Sequence, residues 1–312
     1  MDATAERPRA RRFERRALPA PFQLTERDLA ILTHVARHRF VSSEHLVALD
    51  GGSVQNLLRC LRVLFDHGYL DRPYAQLAHL PVSGPRPMVY GLARRGAQTL
   101  AHHYQQGSDD TDWTERNKRA GAKFIEHTLA IADFMVSLEL SARESNEFEL
   151  LRESEIIANA PERTHTAREP LRLTVPGLTS KFGVSSVVPD ALFGLLFSDS
   201  TAAYFLLEMD RGSMPVTRTR FDKTSYMRKV AVYWEAFKRG RHIEHFGLKQ
   251  LRVLTVTESA ERVDNMLDCL REITGGKGSN FFLFADKPRF AGCSATEVRW
   301  TSGRGQTVRL SE

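Results

Sequence analysis

At 312 residues, with 42% hydrophobic and 26% charged side chains, the chain is long enough for two domains and too apolar for an intrinsically disordered protein. Its 44 Lys and Arg against 38 Asp and Glu leave a net charge of +6, which favours polyanionic partners. Three widely spaced cysteines (Cys60, Cys269, Cys293) with no CxxC pair speak against a disulfide framework or a zinc site, and no apolar run reaches the roughly 18–20 residues of a membrane span.

The N-terminal arginines are not followed by the apolar stretch of a secretory signal, so a cytoplasmic location with no membrane partner is expected. Residues 1–21, with Arg7, Arg9, Arg11, Arg12, Arg15 and Arg16, are expected to form a disordered basic arm. It is either a solvated tail or a DNA-contacting segment.

From residue 22 the pattern turns helical. Thr25 followed by Asp28 starts a helix whose apolar face is Leu29, Leu32, Val35 and Ala36. After a break at His38-Arg39-Phe40, Ser43 caps a short helix with Leu46, Val47 and Leu49. Asp50-Gly51-Gly52 is a turn, and Ser53 caps a third helix with Leu57, Leu58, Leu61, Leu64 and Phe65 inside.

Gln55, Asn56, Arg59 and Arg62 lie on the outer side of that helix. Strands are predicted at Tyr69-Leu70-Asp71 and Met88 to Leu92, joined by a Pro- and Gly-containing loop, with a further helix over 94–104. Three short helices and a β-hairpin are the order of a winged helix-turn-helix, assigned to residues 22–105. Amide and guanidinium groups on the third helix suit major-groove base edges, and Arg86 in the loop suits a phosphate. A polar outer face is also what any solvated helix carries, so the order of elements weighs more than the face.

A polar linker at 107–112 precedes a second domain, residues 113–286, with 287–312 expected as a C-terminal tail. A long helix from about Trp113 to Ser145 is predicted, with Phe124, Ile131, Phe134 and Leu138 among its apolar positions. His127 lies among them, where a hydrogen-bonded core histidine is more usual than a catalytic one. Strands are predicted at 147–157, 187–197 and 202–210, then a helix over 222–239. A strand from Leu251 to Thr257, a helix capped by Ser259 and a last strand from Phe281 to Phe284 complete a mixed α/β (α+β) fold.

Carboxylates concentrate at two strand ends, in Val188-Pro189-Asp190 and in Leu207-Glu208-Met209-Asp210. Strand alternation puts Glu208 and Asp210 on one face, about 7 Å apart, and Asp190 joins them if the strands pair in a suitable register. Such a cluster needs a compensating cation. Mg²⁺ or Mn²⁺ would serve, and would activate water at a phosphodiester. The basic stretch with Arg211, Arg218, Arg220, Lys223, Arg228 and Lys229 would serve equally, by salt bridges or by holding a DNA backbone.

Pro189-Asp190 followed by Glu208 on the next strand resembles the PD-(D/E)xK nuclease core, a restriction-endonuclease-like mixed-sheet domain. The lysine of that motif is replaced here by Asp210. In the superfamily it sometimes moves to the neighbouring helix, where Lys223 and Lys229 stand, with Tyr226 and Tyr233 on a similar face. Core packing is the commoner role for such tyrosines.

More specifically, the chain resembles the replication-relaxation family of plasmid and actinobacterial mobile-element proteins. The resemblance rests on Leu24 to Asp28, Val89-Tyr90-Gly91-Leu92 before Gly96, His127 and Pro189-Asp190. It continues through Phe205 to Gly212 and into Lys223, Ser225, Lys229 and Tyr233. It implies a part in plasmid replication, DNA relaxation or mobilisation.

The first expectation is therefore a DNA-binding accessory protein of a mobile element, partnered by double-stranded DNA and by a relaxase or replication protein, with a homodimer compatible. The second is an active metal-dependent endonuclease or nickase using Asp190, Glu208 and Asp210 with Lys223 or Lys229. The third is a winged-helix transcriptional regulator. An ATPase is disfavoured, because no GxxxxGK[ST] loop occurs.

Overall fold

The computed structural model describes residues 11–79, 87–104, 113–176, 186–212 and 226–311. Arg86, Arg218, Arg220 and Lys223, the linker at 107–112 and the arginines before residue 11 lie outside them. The chain forms two compact units, residues 1–136 and 137–312, so the division falls inside a helix rather than at the predicted linker.

In the first unit, α1 (Glu26–His38) starts with a reciprocal cap. The Thr25 hydroxyl accepts from the Asp28 backbone N–H, and the Asp28 carboxylate accepts from the Thr25 backbone N–H. At Arg39 a φ of 65° turns the chain into β1 (Phe40–Ser42), a strand where the sequence suggests only a break. Ser42, not Ser43, caps α2 (Ser43–Asp50), which ends on Gly51 at φ +67°.

Next come α3 (Val54–Asp66), β2 (Leu70–Asp71) and β3 (Val89–Leu92). The strands form an antiparallel sheet in the order β1-β3-β2. Leu57, Leu61 and Leu64 of α3 close one core with Ile31, Leu32, Val35 and Leu46, whereas Leu58 is exposed.

The unit continues through α4 (Arg94–His103), α5 (Trp113–Arg119) and the first part of α6 (Ala122–Glu144), whose remainder belongs to the second unit. The single long helix expected here is broken at Ala120-Gly121, and Phe124 is 49% exposed instead of buried. On α4, Gly96 lets the helix approach the chain entering β2. A Cβ there would lie 2.3 Å from the Tyr69 carbonyl.

The second unit opens with β4 (Phe148–Leu151), α7 (Glu153–Ala158) and α8 (Glu162–His165). The predicted strand over 147–157 thus stops halfway. Beyond it Arg152 offers its backbone N–H to Glu155, which begins a helix. Two short strands, β5 (Leu173–Thr174) and β6 (Ser186–Val187), pair with each other. Pro189 has no N–H to donate, so the long strand β7 (Ala191–Phe197) begins only after it.

A tight turn at Asp199 to Thr201 returns the chain as β8 (Ala202–Met209). Then follow α9 (Tyr226–Lys238), α10 (Arg241–Phe246), β9 (Leu251–Thr257), α11 (Ala260–Ile273), β10 (Phe282–Asp286), β11 (Trp300–Ser302) and β12 (Thr307–Val308).

These strands build a seven-stranded sheet in the order β12-β11-β10-β9-β8-β7-β4. The pairs β8–β9 and β9–β10 are parallel and the rest antiparallel. A parallel step needs a crossover, and α9–α10 and α11 supply the two. Residues 287–312 are therefore not a tail, since β11 and β12 extend the sheet. Among the described residues, no helix is long and apolar enough to cross a membrane.

Two of the thiols, half-buried Cys60 and buried Cys269, are held protonated. Burial, together with a hydrogen bond from Cys60 Sγ to the Asp28 carboxylate (2.7 Å), pushes Cys60 up to about 12. Burial does the same for Cys269, while Cys293 is exposed. Since only the thiolate reacts, an aromatic disulfide reagent at pH 8 should titrate one thiol in the native protein and three after denaturation. Rapid native modification at Cys60 would contradict this packing.

Candidate functional site

The antiparallel register pairs Ala191 with Leu207 and Leu192 with Leu206, which sets Asp190 across from Glu208. The two strands are locked there by two hydrogen bonds. The Asp190 N–H donates to the Leu207 carbonyl (2.9 Å), and the Met209 N–H donates to Asp190 Oδ2 (2.7 Å).

Glu208 points to the face of the sheet that carries α9. Its side chain is 5% exposed, and both carboxylate oxygens are engaged. Lys229 Nζ donates to Oε2 at 2.5 Å, and the Tyr233 hydroxyl donates to Oε1 at 2.7 Å. Lys229 and Tyr233 are four residues apart on α9, so one helix face presents both. One turn earlier Tyr226 shares a hydrogen bond of 2.9 Å with Thr255, the β9 residue paired with Glu208.

Electrostatics follow from this burial. Desolvation pushes the Glu208 carboxyl up, and the neighbouring Lys229 opposes it. Burial pulls the Lys229 ammonium down, but the Glu208 and Asp190 carboxylates outweigh it and leave its pKa raised. Both tyrosines are pushed well up by burial, so Tyr233 stays a donor.

Asp210 has a different partner. Arg262 of α11 grips it with two hydrogen bonds, 2.5 Å to Oδ2 and 2.9 Å to Oδ1, and the Thr257 hydroxyl adds a third at 2.7 Å. Sequence reasoning missed Arg262. An arginine in the first turn of a helix opposes the helix dipole, and that misplacement was the available signal. Arg211 follows, partly exposed.

A hard divalent ion needs carboxylate oxygens left open to it. Here Lys229 and Tyr233 occupy Glu208, and Arg262 occupies Asp210. Among the described residues, no three His, Cys, Asp or Glu side chains are placed to hold a metal ion. Basic side chains thus supply at Glu208 and Asp210 the compensating charge expected of Mg²⁺ or Mn²⁺ at Asp190, Glu208 and Asp210. His127 is half-buried on α6 and belongs to the first unit.

In that unit α3 carries the other candidate residues. Gln55, Asn56 and Arg59 are exposed along its N-terminal half, as are Val54 and Leu58. Arg62 differs from them. It pairs with buried Asp66 (2.8 Å) and donates to the carbonyls of Arg11 (3.0 Å) and Glu14 (2.9 Å). From Arg11 onward the basic segment is therefore docked on α3 rather than disordered.

Fold and site together define a mixed α/β protein with a largely helical first unit and a sheet unit whose carboxylates are paired with basic side chains. The Replication-relaxation family profile matches residues 32–251, more than half of the chain, and the protein belongs to that family. Comparison with curated proteins and with solved structures finds no match.

Proposed function

We propose that the protein is a DNA-binding accessory factor in plasmid or mobile-element replication, relaxation or mobilisation. On this reading the first unit is a winged helix that docks α3 in the major groove. The second unit, nuclease-like in layout, binds DNA or a relaxase-type partner without cutting.

The observation that carries the reading is the two-sided character of α3. Leu57, Leu61 and Leu64 are buried, while Gln55, Asn56 and Arg59 face outward at the end of the helix that enters a groove first. The sequence α1-β1-α2-α3-β2-β3, with β2 and β3 antiparallel, supports it. A helix, three antiparallel strands, a helical crossover and a parallel strand (α6, β4, β7, β8, α9–α10, β9) support the nuclease-like layout of the second unit. The occupied oxygens of Glu208 and Asp210 favour binding over cleavage.

Mobility shifts and a plasmid assay test both halves. Arg59→Ala and Asn56→Ala should each weaken duplex binding about 10- to 100-fold, the worth of one bidentate base contact. Supercoiled plasmid should stay intact with Mg²⁺ or Mn²⁺. Unchanged affinity in both variants would remove α3 from the interface. Nicking that is lost in Asp190→Ala and Glu208→Ala would make the protein a nuclease instead.

A further inference from the structure

We propose that residues 11–16 form a docked strap that carries Arg11, Arg12 and Arg16 to the DNA phosphate backbone beside α3. The inference rests on the reading of α3 as the DNA-facing helix, and it adds a second, sequence-independent binding surface to it.

The strap is fixed at its C-terminal end by Arg15. Its guanidinium donates to the Phe65 carbonyl (2.8 Å) at the end of α3, to the Leu70 carbonyl (3.0 Å) and to Asp71 (2.5 Å). A carbonyl in the last turn of a helix, where the dipole favours positive charge, is a natural anchor for such a group. The Arg16 backbone N–H adds a bond of 3.1 Å to Asp66.

Toward the N-terminus, Arg62 holds the carbonyls of Glu14 and Arg11, and Arg72 holds that of Arg12 (2.6 Å). The protein thus directs the arginine donors of Arg62 and Arg72 to the strap's backbone, while Arg15 and Phe13 of the strap face inward and Arg11, Arg12 and Arg16 are exposed. Arg12 is exposed, and the Arg16 side chain is 61% exposed. The Arg11 side chain pairs with Glu14, which is itself exposed.

Charge points to the occupant. The guanidinium groups of Arg15, Arg62 and Arg72 surround the single ring of Phe65 at 4.3 to 5.5 Å, with Arg11, Arg12 and Arg16 next to them along the strap. Among the described residues, these six guanidinium groups face three carboxylates, those of Glu14, Asp66 and Asp71. The remaining positive charge lies along a backbone already ordered before binding, so little entropy is lost on association. A polyanion of regular spacing, the duplex backbone, fits it, and α3 ends on the same platform.

The test measures fluorescence anisotropy of a labelled duplex against salt for full-length wild type, Arg11→Ala/Arg12→Ala/Arg16→Ala and Arg59→Ala. Thermal melting of the triple variant should be nearly unchanged, because Glu14, the partner of Arg11, is exposed and Asp66, 3.6 Å from Arg16, keeps Arg62 at 2.8 Å. Its slope of log affinity against log salt should be shallower by roughly 2 to 3, about 0.9 for each phosphate no longer neutralised. Arg59→Ala should change that slope by about one or less. An unchanged slope in the triple variant, with binding still weakened by Arg59→Ala, would make the strap purely structural and overturn the inference alone. No binding by the wild type would overturn the reading of α3, and the strap with it.

Discussion

Replacing Lys229 with methionine is expected to destabilise the second unit by about 3 kcal/mol at neutral pH and to make its stability depend on pH. Glu208 is deeply buried, and Lys229 is the only basic side chain that bonds it among the described residues. Removing one partner of such a pair typically costs about 3–5 kcal/mol. The lower end applies because about a third of the Lys229 side chain meets solvent.

The sign of the pH effect follows from burial. Desolvation already raises the Glu208 carboxyl above its ordinary 4.5, and loss of the ammonium raises it further. An acid whose pKa is raised by folding stabilises the fold below its unfolded pKa and loses that contribution as pH rises through the folded one. The variant should therefore be most stable in mild acid and weaken steadily toward neutrality. Adding Glu208→Gln should restore much of the loss at pH 7 and flatten the profile. Denaturant melts from pH 4 to 8 measure both effects. A flat profile in Lys229→Met would show that Glu208 is stabilised from elsewhere.

Trp300→Ala is expected to cost a further large amount, about 3–5 kcal/mol, as for other fully buried aromatic side chains. Trp300 is 0% exposed in β11 and packs edge-to-face on Phe290, 5.9 Å between ring centroids. Its strand is bonded to β10, which runs parallel to β9 at the centre of the sheet. The midpoint of the second unit's thermal transition, followed by circular dichroism, should fall by roughly 10 °C. A fall of only a degree or two would return residues 287–312 to the status of a dispensable tail. Gly303 makes the same point locally, because a Cβ there would lie 2.4 Å from the Ser279 carbonyl.

The two predictions bear differently on function. The nuclease motif that the sequence resembles has a lysine where this chain has Asp210, and here Lys229 reaches the neighbouring acid Glu208 from α9. That arrangement neutralises the acid and, with Tyr233, fills both of its oxygens. The cluster fastens α9 to the sheet, which is a structural use of residues that also resemble a catalytic set.

Sequence alone determined the parts of this protein that carry a local period or a local cap. Thr25 with Asp28 and Ser259 with its following apolar positions marked α1 and α11, because capping and helical spacing act within one or two turns. Alternation along the strand put Glu208 and Asp210 on one face, and the run from Leu251 to Thr257 matched β9 at both ends. The carboxylates themselves were legible, and so was the family.

Tertiary structure decided what lies between distant residues. β1, β11 and β12 are two or three residues long, and strands that short draw their stability from the neighbours they pair with, not from their own propensity. The grips of Arg262 on Asp210 and of Arg15 on Asp71 join residues 52 and 56 positions apart. No periodicity connects such pairs. For the same reason the choice between metal and lysine as the cation beside Glu208 stayed open in the sequence. The bonds from Lys229 and Tyr233 to Glu208 form only where folding brings one face of α9 down onto β8.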